Sequence, residues 1–366
     1  MSTKSVKIGT LRFGEGVLVQ SMTNTKTSDA QATIAQILAL ERAGCDIVRV
    51  SVPDEASADA ISEIKGGISC PLVADIHFDY KLALRALERG SDKVRINPGN
   101  IGAGARGDAE RHSRLAAIVD CAKEHGASIR VGVNAGSLEP EIEREFGRTG
   151  EALARSALRN VRLLEDLNFD QIVISVKASD VRTTIDAYRR LSALSPYPLH
   201  LGVTEAGTRI MGTVKSDIAL GSLLADGIGD TIRVSLAGDP VQEVYAAKRI
   251  LRALGIDRDY VEVVACPTCS RTCIPVEELA TRVEEYTKDL RVPMKVAVMG
   301  CVVNGIGESK GADFGIAGGK GRSALFSGGE VKKSVSNAEI FDALKEEIDR
   351  RAETLRKENT GGEGRQ

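Results

Sequence analysis

Four of the seven cysteines of this 366-residue chain, Cys266, Cys269, Cys273 and Cys301, fall in its C-terminal part. Cys266-Pro267-Thr268-Cys269 is a C-x2-C pair, a spacing that lets two thiolates reach one metal centre. Cys301 opens a Gly-containing run that continues through Gly307 to Glu308. Soft thiolates select zinc or an iron–sulfur cluster over hard cations. The layout matches neither the doubled C-x2-C of a zinc ribbon nor the close run of four cysteines in bacterial ferredoxins. A structural zinc site with Cys273 as fourth ligand stays open at this level. Glu308 either belongs to turn chemistry or brings a carboxylate to the metal. Cys45, Cys70 and Cys121 lie scattered among apolar neighbours and read as small buried hydrophobes.

A second concentration is cationic. Arg49, Arg95, Arg130, Lys177 and Arg233 each stand at the end of a short β-rich run, and so do His77, Asn97, Asn134, Glu205 and Ser235. Cations aimed at one place repel one another unless an anion sits among them. Guanidinium forks pair bidentately with phosphate oxygens, and a set this large suits a diphosphate better than a carboxylate. Paired with neighbouring acids, any one of these arginines would be ordinary; together they point to a binding pocket. His77 belongs to the same cluster, two residues beyond Asp75. Glu205 is either a general acid or a salt-bridge partner.

The elements that must position these residues alternate. Eight β-rich runs, from Val17–Met22 to Thr231–Val234, are separated by stretches of helical periodicity such as Asp29–Ala43, Ala109–His125 and Val181–Leu194. Asp29 and Asp108 are expected as N-caps, and Gly44, Gly90 and Gly126 as C-terminal stops. Eight such units over about 240 residues predict a (β/α)8 TIM barrel, whose active site lies where strands run into βα loops. A doubly wound open sheet is the competing arrangement. Beyond Asp257 the pattern changes to a small α+β region: a strand Val261–Ala265 before Cys266, a helix near Val276–Tyr286, a strand Lys295–Met299 before Cys301, short strands, and a helix from Asn337 to about Lys357. The expected domains are a substrate-binding barrel over 1–256, a cluster domain over 257–357 and a disordered tail over 358–366.

Composition removes several function classes. Lys plus Arg at 49 against Asp plus Glu at 51 gives a net charge of −2, which excludes nucleic-acid binding by bulk charge. The chain has no Trp and 4% aromatic residues, a poor stacking surface. It has no apolar run of the roughly 20 residues a membrane span needs. Met1–Gly16 lacks a signal-peptide core, so a cytoplasmic protein is expected.

With these residues in view, the chain resembles the 4-hydroxy-3-methylbut-2-enyl diphosphate synthase family. The resemblance rests on Cys-Pro-Thr-Cys-Ser-Arg at 266–271, Gly-Cys-Val-Val-Asn-Gly at 300–305 and Gly-Glu at 307–308. It extends through Val-Gln-Ser-Met-Thr-Asn-Thr at 19–25, Ala-Asp-Ile-His-Phe at 74–78, Arg-Ile-Asn-Pro-Gly-Asn at 95–100 and Gly-Val-Asn-Ala-Gly-Ser-Leu at 132–138. It implies reductive opening of 2-C-methyl-D-erythritol 2,4-cyclodiphosphate in the non-mevalonate isoprenoid pathway. It also implies one [4Fe-4S] cluster per subunit on Cys266, Cys269 and Cys301, with Glu308 on the fourth iron. Arg49, Arg95, Arg130, Lys177 and Arg233 would hold the diphosphate, His77, Asn97, Asn134 and Ser235 would add hydrogen bonds, and Glu205 would be a proton donor. Flavodoxin or ferredoxin would supply electrons to a head-to-tail homodimer. Ile306 stands where the family often has Pro, and Cys273 is a thiol its pattern does not require. The barrel taken alone is also similar to dihydropteroate synthase, and a non-catalytic metal-stabilised module is a third reading.

Overall fold

A repeated local pattern builds the first unit: a short strand whose alternate residues are apolar, a polar turn, and a helix capped by an Asp or Thr side chain. Asp29 accepts a hydrogen bond from the Ala32 amide, Asp54 from Ser57, Asp180 from Thr183 and Thr149 from Ala152. Gly44, Gly90 and Gly126, each just past a helix, adopt the positive φ that ends it. The structure is a computed structural model that describes residues 4–97, 101, 107–303, 307 and 309–362. The chain divides into two units, Met1–Ile256 and Asp257–Gln366.

The first unit runs β1 (Lys7–Ile8), β2 (Leu11–Arg12), β3 (Leu18–Met22), α1 (Ala30–Arg42), β4 (Ile47–Ser51), α2 (Glu55–Gly66), β5 (Leu72–Asp75), α3 (Tyr80–Glu88), β6 (Lys93–Ile96), α4 (Asp108–Glu124) and β7 (Ser128–Asn134). It continues through α5 (Pro140–Phe146), α6 (Gly150–Glu165), β8 (Ile172–Lys177), α7 (Val181–Leu194), β9 (His200–Gly202), α8 (Arg209–Ala225), β10 (Thr231–Arg233) and α9 (Pro240–Ala253). Eight strands pair in parallel in the order β8-β7-β6-β5-β4-β3-β10-β9. That order wraps round on itself, which sets aside the open doubly wound sheet. The seam between β8 and β9 is thin. It has one isolated bridge, Ile174 to Leu199, and the Ile174 amide donates to the Pro198 carbonyl at 2.9 Å. Tyr188 staples it: its hydroxyl donates to the His200 carbonyl at 2.5 Å and accepts from the Val176 amide at 3.2 Å. The result is a nearly closed TIM barrel.

Strand pleating sorts side chains into two populations. Val48 and Val50, Ala74 and Ile76, Val94 and Ile96, and Ile129, Val131 and Val133 face the helices and form the main core. Their alternates Arg49, Asp75, Arg95 and Arg130 face the barrel interior. The β1–β2 hairpin supplies Val6, Ile8 and Phe13, which pack on Ile47, Val73 and Val173 as an apolar floor.

The second unit holds β11 (Val261–Ala265), α10 (Val276–Thr287), β12 (Met294–Met299), β13 (Phe314–Ala317), β14 (Arg322–Ser327), β15 (Glu330–Ser336) and α11 (Ile340–Gly362). Its sheet runs β11 to β15 in order, parallel at first and antiparallel from β13 onward. Val283, Val296, Val298, Ile316 and Leu344 are central to its own core.

Several details depart from expectation. Asp108 lies inside the first turn of α4, where a carboxylate meets the positive end of the helix, and Gly107 takes the cap position. The tail expected to be disordered from Glu358 continues α11 to Gly362, because extending a formed helix costs far less than starting one. The pair Lys357–Glu353 supports that turn. Helices α2 and α8 and the β1–β2 hairpin carry weak sequence signals. In α8 the exposed Ile210, Met211, Val214 and Ile218 blur the apolar period.

Candidate functional site

The inward rows converge at the C-terminal ends of the strands on a cavity of about 170 Å³. Arg49, His77, Arg95, Arg130, Asn134, Lys177, Arg233 and Ser235 all line it, together with Asp75, Gly132, Ser175 and Thr204. Eight expected residues from six strands or strand ends thus share one pocket. Asn97 and Glu205 are not among the lining residues. Asn97 is buried one position past β6, and its carbonyl accepts from the Ile101 amide. Glu205 is exposed on the loop after β9, at a left-handed φ of 51° that is uncommon outside glycine.

Two acids organise the cations. Asp75, almost fully buried, faces Arg49 at 3.7 Å, Arg95 at 3.2 Å and the His77 Nε2 at 3.9 Å. Burial works to raise its pKa, but Arg49, Arg95 and Arg130 more than reverse this and hold the carboxyl well below its usual range. Glu243 reaches in from α9. It accepts from Arg233 Nε at 3.3 Å, from the Ser21 hydroxyl at 3.1 Å and from the Leu236 amide at 3.0 Å. The Met22 thioether bridges the arginines, with Arg49 NH2 at 3.0 Å and Arg233 NH1 at 3.6 Å.

Arg130 and Lys177 are held differently. Neither has an ion pair among the described residues, and Arg130 Nε and NH1 have no hydrogen-bond partner there. Burial, then Arg49 and Arg130, push the Lys177 ammonium well below its ordinary value. Burial and the same neighbourhood weigh on Arg130, although a guanidinium stays charged at neutral pH. Such groups gain most from an arriving anion. Asp75, Ser175 and Gly132 had no assigned site role in the sequence, yet period-2 alternation marks them: each lies two residues from an inward polar residue. Glu243 carries no such mark, because it comes from a helix.

In the second unit the parallel pairing of β11 and β12, with Ala265 opposite Val298, brings Cys266 beside the end of the strand that precedes Cys301. The Gly300 amide donates to the Cys266 Sγ at 3.1 Å. The Cys266–Cys273 loop folds over that end, the Cys273 amide donating to the Gly300 carbonyl at 2.8 Å. The Cys273 thiol faces the Arg271 carbonyl. Cys266 and Cys301 are half-buried, and Cys269 is exposed. Glu308 lies outside the described residues. Among the described residues no three His, Cys, Asp or Glu side chains assemble as a metal-holding set. The donor types still suit a thiophilic centre, and an amide donating to a thiolate sulfur is the kind of contact that tunes one.

Fold and pocket define a TIM-barrel protein with a cation-lined mouth, followed by a thiol-bearing α+β unit. Comparison with known proteins agrees. The GcpE TIM-barrel domain matches residues 3–248, and the GcpE protein C-terminal domain matches 262–350. The chain is 54% identical over 351 residues to 4-hydroxy-3-methylbut-2-en-1-yl diphosphate synthase (flavodoxin) of Caldanaerobacter subterraneus subsp. tengcongensis, covering 95% of this chain and 97% of that one. It is 51% identical to the protein of the same name from Geobacillus thermodenitrificans, covering 96% and 92%. The chain belongs to the GcpE family. Among solved structures, Burkholderia cenocepacia dihydropteroate synthase covers 70% of this chain and 99% of its own at 14% identity and a TM-score of 0.48, a likeness too slight to bear on activity.

Proposed function

We infer that this protein catalyses the two-electron reductive ring opening and dehydration of 2-C-methyl-D-erythritol 2,4-cyclodiphosphate to 4-hydroxy-3-methylbut-2-enyl diphosphate, with flavodoxin as electron donor. The observation that carries this reading is identity at about half of all positions, across both units, with enzymes named for that product. The pocket supports it. Arg130 and Lys177 supply charge to the diphosphate, while Arg49, Arg95 and Arg233 supply forks already aimed by Asp75 and Glu243. His77, Asn134 and Ser235 add hydrogen bonds at the rim. Asn97 acts from its buried place beyond β6, and Glu205 donates a proton from the following loop.

Cys266, Cys269, Cys301 and Glu308 would hold a [4Fe-4S] cluster. Bound there, it supplies electrons and a Lewis-acidic iron. Glu308 would supply an oxygen donor beside three thiolates, a weaker partner for iron than sulfur. We place the enzyme in the cytoplasm as a homodimer, the small unit of one copy serving the barrel of the other. Mixing a Cys301 variant with an Arg130/Lys177 double variant tests that arrangement. Shared sites restore activity towards about a quarter of wild type, and self-contained sites restore none.

The activity itself is tested by an anaerobic assay with the cyclic diphosphate and a strong one-electron reductant. A brown protein absorbing near roughly 400 nm that forms the linear diphosphate is the expected result. Colourless, zinc-loaded, inactive protein would overturn the reading.

A further inference from the structure

One layer below the pocket lies a polar group that the proposed chemistry does not use. Lys93 opens β6, two residues before Arg95 on the same inward row, and is fully buried. Its register partner Ser128 sits two residues before Arg130. Lys93 Nζ has no hydrogen-bond partner among the described residues and rests 5.0 Å above the centre of the Phe13 ring, on the apolar floor. Ser128 Oγ and His200 Nε2, also buried and inward, likewise lack partners there, although His200 Nδ1 meets Thr231 Oγ1 at 2.7 Å.

The charged groups that bear on Lys93 are Arg130 on β7 and Arg49 on β4, both repulsive, and Asp92 just before its own strand. Asp92 is committed elsewhere, since its Oδ2 accepts from Lys65 Nζ and from the Leu72 amide at 2.7 Å each. Asp75 is engaged by Arg49 and Arg95. Near Lys93 only the ring face and the already committed Asp92 favour a positive charge. Burial, then Arg130 and Arg49, push its ammonium well below the ordinary lysine value. His200 is pushed down in the same way, with Lys93 among the causes.

We propose that Lys93 is a reserve charge for anion binding, neutral while the pocket is empty and protonated from solvent when a diphosphate enters, so that substrate binding takes up a proton. The inference rests on the diphosphate reading of the pocket and adds a residue that strengthens binding without touching the ligand. Each negative charge about 10 Å away, at an effective dielectric constant of about 20, favours the protonated form roughly fifteenfold. Two residues along a strand span about 6.6 Å, which places the pocket within that range.

Calorimetry of the oxidised holoenzyme tests this without turnover. The cyclic diphosphate is titrated in two buffers of different ionisation enthalpy, and inorganic pyrophosphate is run beside it. Wild type is expected to take up protons, and Lys93→Met to take up fewer and bind about tenfold more weakly near pH 7. As pH rises, the wild-type advantage should shrink. Lys177 accounts for uptake that remains in the variant. Absence of uptake by wild type, or equal uptake by Lys93→Met, overturns the proposal. If Lys93→Met does not fold, Lys93→Gln takes its place, and the wild-type uptake and pH profile stand without any variant. Pyrophosphate binding with uptake, where the cyclic diphosphate does not bind, would sink the proposed activity and leave this inference intact. Failure of both ligands to bind would sink both.

Discussion

In the barrel, the groups that would meet a ligand stand on strands, and several are already paired: Arg49 and Arg95 with Asp75, Arg233 with Glu243. In the small unit, the corresponding groups stand just beyond strand ends, and the described thiols do not close on one point. The barrel prepares its site by folding, because each inward side chain is fixed by helices packed behind the neighbouring residues. The small unit carries its cysteines on the loops that follow strands, with Cys266 held beside Gly300. Side chains fixed on strands and side chains carried on the loops that follow thus lie side by side in one chain.

The sharpest way to break this contrast is at the thiols. Changing Cys266, Cys269 or Cys301 to Ser should remove most bound iron and essentially all activity, whereas Cys273→Ser should keep iron content near wild type. Iron analysis and absorbance of anaerobic protein read both. Loss of iron in Cys273→Ser would move the fourth ligand away from Glu308. Next comes the barrel: Arg130→Met or Lys177→Met should weaken binding of the cyclic diphosphate about ten- to hundredfold, since a charge-assisted hydrogen bond is worth about 1.5–3 kcal/mol. The cluster absorption should not move. Unchanged affinity in both variants would remove the case for a cationic pocket.

Asp75→Asn tests pre-organisation itself. Removing one partner from a buried ion network costs about 3 kcal/mol, read as a lower denaturation midpoint. The wild type carries the same signature in pH. A carboxyl held below its unfolded value stabilises the fold above that value and loses the contribution as pH falls from about 4 through the folded pKa. The Asn variant should lack this acid limb. The smallest effect belongs to the seam: Tyr188→Phe gives up the bonds to the His200 carbonyl and the Val176 amide, for a loss of about 1–2 kcal/mol, and hydrogen exchange should quicken along β8 and β9 first.

Much of the barrel's site was legible because its code is periodic. Once β4, β6, β7, β8 and β10 are recognised, alternation alone aims Arg49, Arg95, Arg130, Lys177 and Arg233 inward. Past a strand's end the rule has no fixed hold: His77 and Ser235 still line the pocket, whereas Glu205 does not. β9 stops at Gly202, so Glu205 belongs to a turn with its own backbone geometry and does not inherit the strand's direction. Glu243 was illegible for a different reason: it reaches Arg233 across a helix–strand contact, and no spacing in the chain announces that. The cysteines were legible by type and spacing. Their parallel neighbourhood on β11 and β12 follows from pairing between strands 33 residues apart at Val261 and Met294, which periodicity does not reveal.

Gly132 and Gly202 occupy inward positions of the barrel, and each leaves its space to a cation. A methyl group on Gly132 would fall 2.4 Å from Arg95 Nε, and one on Gly202 would fall 2.8 Å from Lys177 Nζ. The pocket's electrostatics are therefore written partly in residues that carry no charge. A lineage of this protein could keep every arginine and lysine and still lose the shape of its cationic pocket through a single alanine. Two chains with identical charge inventories need not share a ligand, and the missing side chains are the better guide.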